Sequence, residues 1–223
     1  AKIKKTILID TINVLNFPGL SPGIGVIEKS DGDEESEEEG GNQFREEKGF
    51  EIKDLKVHGT AVFKKDILTG WLGPLETRGL VFAQNEVQSS IINVPNPYQK
   101  DKQVAMEIVR SEGKMDAKME GNKLRFIVEI EATGRLAHQE GPGDLTTLTM
   151  NERLEKAVTQ VIEKNIKAAL EKTQKIYKSD IFGFSQIANR KYYDYWKANK
   201  KKWGQVYADT PVDINVKYQN ISS

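Results

Sequence analysis

Apolar and polar residues alternate along residues 50–133 in runs such as "FEIKDLKVHG", "TAVFKK", "LVFAQNE", "SIINVP", "VAMEIVRS", "KMDAKME" and "KLRFIVEIEATGRLAHQ". A period of two sends successive side chains to opposite faces, so this region predicts an antiparallel sheet that buries one side. "SEGK" at 111–114 and "GNK" at 121–123 are the predicted tight turns. The period then changes. Leu154, Val158, Val161, Ile162, Ile166, Ala169, Leu170, Thr173, Ile176 and Tyr177 keep the i, i+3, i+4, i+7 rhythm of one apolar stripe. They predict a single long helix over residues 151–178, roughly 40 Å at 1.5 Å per residue. Shorter helices follow in "SDIFGFSQIANRKYYDYWKANKKKWGQVY", with Ser179 or Asp180 as N-cap, and "VDINVKY" is a last strand. Upstream, Ile3, Ile7, Leu8, Ile12 and Leu15 predict a short helix over residues 2–16, ended by "NFPG", and "GIGVIEK" is extended. Strands followed by helices, without regular βαβ alternation, define an α+β fold: a mainly antiparallel β-sheet with a long amphipathic helix and shorter C-terminal helices packed on one face.

Charge divides the chain. "SDGDEESEEEGGNQFREEKG" has too little apolar content to repay the entropy of ordering, which predicts a mobile acidic linker around the run at 31–39. A calcium loop needs alternating oxygen ligands with a fixed glycine and a distal glutamate, and "DGDEESEEE" supplies this only in part. Residues 1–49 therefore read as the end of a preceding domain plus this linker, and residues 50–223 as one domain. The amphipathic opening from Ala1, with no methionine, reads as the interior of a longer protein. Equal totals of 33 basic and 33 acidic residues give no overall pull toward nucleic acid or an anionic membrane. With no cysteine, and only His58 and His138, thiolate chemistry is excluded and little remains to build a zinc or copper site. No cofactor is expected, and no apolar run reaches the length of about 18 residues that marks a membrane-spanning helix.

The motifs that suggest chemistry have plainer readings. "YYDYWKANKKKW" mixes bases and aromatics, the vocabulary of single-strand binding. Yet Tyr192, Trp196, Asn199 and Trp203 fall on one helical face, and Lys197, Lys201 and Lys202 lie off it. They read as core and solvated face, with no nucleic-acid partner. "EGPGDL" at 140–145 lacks the lysine and hydroxyl of a phosphate loop, and "GFS" at 183–185 lacks the second glycine of a nucleophile elbow. A glycosidase would need two carboxylates about 5–9.5 Å apart across a cleft.

One stretch is not accounted for this way: "GTAVFKKDILTGWLGPLETRGL" at 59–80. Gly70, Gly73 and Pro74 bracket a strand-to-helix change, and Glu76 and Arg78 are placed to form a charge-assisted pair within the turn. The knot reads as a pinned turn, or as a docking surface with Trp71 as aromatic anchor and Arg78 reaching outward.

This stretch, together with "KSDIFGFSQIANRKYYDYWKANKKKWGQVYADTPVDINVKYQ", closely resembles the C-terminal region of the GerAC-like lipoproteins, the C subunits of spore germinant receptors. The shared pattern runs through "TAVFK-D-L-GWL---ETRGL", the long helix, "DIFGF", "RKY--YW", a later tryptophan and the last strand. The resemblance implies a non-enzymatic subunit held by an N-terminal lipidated cysteine on the outer face of the spore inner membrane. It would act with a polytopic A subunit and a transporter-like B subunit. The alternative is a small-molecule-binding, glycan-binding or hydrolytic domain of the spore envelope. The matching positions carry no catalytic residue. Trp71, Glu76, Thr77 and Arg78 are the expected partner interface. Gly70, Gly79, Asp180, Phe182, Gly183, Phe184, Trp196 and Trp203 are expected to form the fold.

Overall fold

The computed structural model describes residues 23–29 and 55–221. The expected helix at 2–16 and the acidic run at 31–39 lie outside them. The first sheet has the order β1 (Gly23–Lys29), β2 (Leu55–Lys64), β3 (Ile67–Leu72), all antiparallel. Helix α1 (Pro74–Ala83) leads to the second sheet, β4 (Ser90–Pro95), β5 (Gln103–Glu120), β6 (Lys123–Gln139) and β7 (Val212–Asn220), in that order. Between β6 and β7 run α2 (Leu148–Glu171), a π-helical turn (Lys172–Tyr177), α3 (Phe184–Lys191), α4 (Tyr193–Asn199), a 3-10 turn (Lys200–Lys202) and α5 (Trp203–Asp209). That long connection returns β7 parallel to β6, the one parallel pair among the described strands. The fold is α+β, with antiparallel pairing dominant.

Alternation decides which side of the second sheet is buried. Val104, Met106 and Ile108 of β5 and Leu124, Phe126, Val128 and Ile130 of β6 point into a core completed by Leu154, Val158, Ile162 and Ile166 of α2. Phe182, Phe184, Trp203 and Tyr207 close it, with the Phe126 and Phe184 rings stacked at 4.1 Å. Each fully buried large side chain contributes about 1.5–3 kcal/mol. On the opposite face of β5, Arg110, Glu112, Lys114, Asp116, Lys118 and Glu120 alternate in sign. Glu120 meets Arg125 of β6 at 3.4 Å and Lys118 approaches Asp213 of β7 at 3.9 Å, while Arg125 and Asp213 pair with each other at 2.8 Å.

Three expectations are corrected. "LVFAQNE" is not a strand: Leu80–Ala83 finish α1, and the chain then turns. A short apolar run does not tell strand from helix by periodicity, and here Pro74 at the first turn and the Glu76 cap set the helix. "SEGK" is not a turn, because Ser111–Lys114 pair in register with Ala132, Ile130 and neighbours inside one long β5. Gly113 serves close approach instead. A Cβ there would lie 2.2 Å from the Phe82 carbonyl oxygen, where the end of α1 crosses the strand. The helix expected over 151–178 begins at Leu148 and changes to π-helical winding at Lys172. The "GNK" turn stands, with Gly121 at φ +59° between β5 and β6.

Candidate functional site

Gly73 caps α1 without a side chain, so the helix start takes its acceptor from within the first turn: the Glu76 carboxylate accepts the Gly73 N–H. The other oxygen of Glu76 meets the Lys172 ammonium at 2.8 Å, at the end of α2. The expected Glu76–Arg78 pair is therefore not formed. Residues two apart on a helix do not face each other, and Arg78 instead donates to the Ile91 carbonyl of β4 at 3.2 Å. The Thr77 hydroxyl lies 3.1 Å from that of Thr60 on β2. Gly79 lets α1 rest on the backbone of α2, since a Cβ there would sit 2.2 Å from the Asn165 carbonyl oxygen. Glu76, Thr77 and Arg78 are half-buried, and each reaches a different neighbouring element.

Trp71 is oriented differently. Its side chain is 50% exposed, while its backbone N–H and C=O both engage the Tyr177 hydroxyl, at 3.2 and 3.0 Å. Tyr177 comes from the π-helical turn and occupies the free edge of β3, which would otherwise offer unpaired backbone groups. Gly70 leaves room for it, because a Cβ there would lie 2.4 Å from the ring. Ile67 and Leu68 on β3, Leu75 in the first turn of α1, and Ile176 beside Tyr177 are exposed as well. Lys64 ends β2 and Lys65 lies in the turn before β3, while Lys172, Lys175 and Lys178 lie in or just after the π-helical turn. The outcome is an exposed tryptophan on a braced strand edge, with further exposed apolar residues and lysines in the flanking segments.

Removing the Glu76 carboxylate is expected to loosen this brace. Glu76→Ala should lower the unfolding free energy by about 1–2 kcal/mol, from the lost cap and a partly exposed ion pair. Glu76→Gln should recover part of it through the cap alone. Urea unfolding of the three proteins is the measurement.

A second cluster lies behind the first. Asp180 is 1% exposed, and its carboxylate accepts from Gly183 N (2.9 Å), Phe184 N (3.1 Å), Ser185 N (2.6 Å) and Trp203 Nε1 (3.0 Å). Burial pushes its carboxyl up, and those donors pull the other way. Gly183, at φ +91°, turns the chain so that Phe182 and Phe184 both enter the core. The π-helical turn links the two clusters. Thr173 meets the Tyr207 hydroxyl at 2.7 Å, Gln174 donates to the Tyr207 and Thr210 carbonyls, and Ser179 donates to the Phe63 carbonyl of β2. Trp196 is buried with the Lys200 ammonium 5.5 Å over its ring, and Lys197, Lys201 and Lys202 are exposed.

The sequence reading singles out Trp71 and Asp180 but not the exposed Ile67 and Leu75, and it places Ile176, which is exposed, and Tyr177 on the core stripe. Helical periodicity carries the stripe through Ile176 and Tyr177, whereas the chain winds as a π-helix from Lys172, and no periodic signal marks Ile67 or Leu75. Among the described residues there is no group of three or more His, Asp or Glu side chains that could hold a metal, and no helix long and apolar enough to cross a membrane.

The described residues thus form a two-sheet α+β fold with an exposed tryptophan on a braced strand edge. The chain belongs to the family described as spore germination B3/GerAC like, C-terminal, whose model matches residues 58–222. It is 29% identical over 162 residues to spore germination protein KC of Bacillus subtilis (strain 168), covering 72% of this chain and 39% of that protein. Spore germination protein B3 of the same organism is 23% identical over 170 residues, covering 75% of this chain and 45% of the relative. The chain thus spans less than half the length of these relatives. The crystal structure of the GerBC protein superposes with a TM-score of 0.78 at 21% identity, over 99% of this chain and 63% of that one, and shares the fold.

Proposed function

We propose that this chain is a non-enzymatic part of a nutrient germinant receptor, and that residues 50–223 form a protein-docking domain centred on Trp71. Family membership supports the germination role. The observation that carries the docking reading is the Trp71 edge, where a large aromatic side chain stays exposed although its backbone is fixed by Tyr177 and Lys172. Preorganised, exposed aromatic side chains of this kind are the commonest hot spots of binding energy. The flanking lysines favour a partner with an apolar contact and acidic rim. Glu76, Thr77 and Arg78 contribute by holding the edge in place, with Arg78 the member closest to solvent. In the intact protein a lipidated N-terminal cysteine would tether this domain to the outer face of the spore inner membrane, with the A and B subunits as partners. Residues 1–49 would join it to a preceding domain.

Carbohydrate hydrolysis is the less favoured reading. Of the carboxylates lining the cavity beside the β5–β6 turn, Glu120 is held below the usual range by Lys118 and Arg125, opposite to what a general acid needs.

The test is co-purification of receptor subunits with the full-length protein from spores, comparing wild type with Trp71→Glu. At equal abundance, Trp71→Glu is expected to lose its partners, about a 30-fold or greater weakening for a hot-spot side chain worth 2 kcal/mol or more. Stability of the isolated chain should change by less than about 0.5 kcal/mol, as for most exposed positions. Partners retained at wild-type levels would refute the docking role.

A further inference from the structure

We infer that the cavity between the β5–β6 turn and the C-terminal helices is a binding site for a small anionic molecule, one presenting carboxylate or phosphate oxygens. This site is separate from the Trp71 edge and does not depend on it. The cavity holds about 420 Å³, within the range of small-molecule sites. The turn at Gly121–Asn122 forms one wall, α4 and α5 the other, and Pro211 the floor.

The partners of its charged groups decide the ligand's sign. Arg125 is held by Asp213 at 2.8 Å and by Glu120 at 3.4 Å, and Glu120 also meets Lys118 at 3.0 Å. Asp209 accepts from Gln205 at 2.7 Å. Glu120 is thus neutralised by bases, whereas Asp209 has only the neutral Gln205 amide as partner among the described residues. The Lys123 and Lys202 ammonium groups, and the Tyr195 hydroxyl, have no hydrogen bond or ion pair to any described residue. They approach from the hairpin, the 3-10 turn and α4, three separate pieces of chain. Burial pushes the Tyr195 phenol up, so it stays protonated and able to donate. Two lysines without an ion-pair partner and one uncommitted O–H line the cavity against a single carboxylate not neutralised by a base, Asp209, a balance that favours an anion's oxygens.

The experiment is amide NMR titration of the 223-residue chain at physiological salt with L-malate, inorganic phosphate and uncharged mannitol. The expected result is saturable shifts with malate or phosphate, confined to the segments around Lys123, Tyr195 and Lys202, and none with mannitol. Whichever anion saturates identifies the oxygen chemistry. Lys123→Met with Lys202→Met should weaken that binding at least tenfold. Both lysines are exposed, so the fold should persist, as unchanged amide dispersion will show. Lys64→Met with Lys65→Met should leave binding unchanged. Shifts that fail to saturate, that follow all surface lysines equally, or that survive the Lys123/Lys202 double substitution would overturn the assignment.

Discussion

Asp180→Ala is expected to lower the unfolding free energy by about 3–5 kcal/mol, much of what a domain of this size has in reserve. The carboxylate is the shared acceptor for three backbone N–H groups of the "DIFGFS" turn and for the Trp203 indole. Its removal strands four donors in a site that water does not reach, each costing about 1–3 kcal/mol before relaxation. The core around Phe182, Phe184 and Trp203 would then lose its register. Asp180→Asn should be intermediate, because one acceptor oxygen survives while the amide group faces N–H donors. A pH dependence separates the two substitutions from a packing defect. Since burial raises the folded-state carboxyl, the folded protein holds that proton more tightly than the unfolded chain, whose carboxyl titrates near about 3.9. Ionisation of Asp180 therefore subtracts stability as pH rises from about 4 through the folded-state value, a slope that Asp180→Asn should lack. Urea unfolding across that range measures both effects. An Asp180→Ala protein within about 1 kcal/mol of wild type would contradict the hub.

Gly79→Ala should destabilise by about 3 kcal/mol, reversing the usual sign. In a helix interior this change normally gains about 0.5–1 kcal/mol by restricting the unfolded chain. Here the added methyl would meet the Asn165 carbonyl oxygen at 2.2 Å, its carbon at 2.3 Å and the Ile166 nitrogen at 2.6 Å. All three are backbone atoms of α2, so no rotamer change relieves the overlap, and the two helices must separate. Gly73→Ala is the control, for its added methyl meets only the flexible end of Glu76 at 3.1 Å. It should cost less than about 1 kcal/mol. Thermal unfolding with Gly79→Ala as stable as wild type would show that α1 and α2 do not pack as described.

The alternating runs of the sheet and the stripe of α2 were legible because one face of each element is buried and the other solvated. β4, β6, the "GNK" turn and the last strand follow from that pattern. The errors fall where tertiary contact overrides local signal. Gly113 resembles a turn glycine but admits α1, and Leu80–Ala83 resemble strand but follow a proline-started helix. At the site, Trp71, Gly70 and Asp180 stood out as residue types unusual for their position. Tyr177 did not, because its ring packs against the core as the stripe predicts, while the bond of its hydroxyl to Trp71 is set by tertiary contact. The partners of Glu76 and Arg78 were equally hidden, since Lys172 and Ile91 are distant in sequence.

The central claim is that Trp71 faces a partner, and site-specific photo-crosslinking in spores tests it most directly. A benzophenone amino acid would replace Trp71 in the full-length protein, and in a second strain Leu148. Leu148 is exposed at the opposite end of α2, about 36 Å along the helix from Lys172. The account predicts an adduct with another receptor subunit from position 71 and none from position 148. No adduct at 71, or equal adducts from both positions, would contradict it.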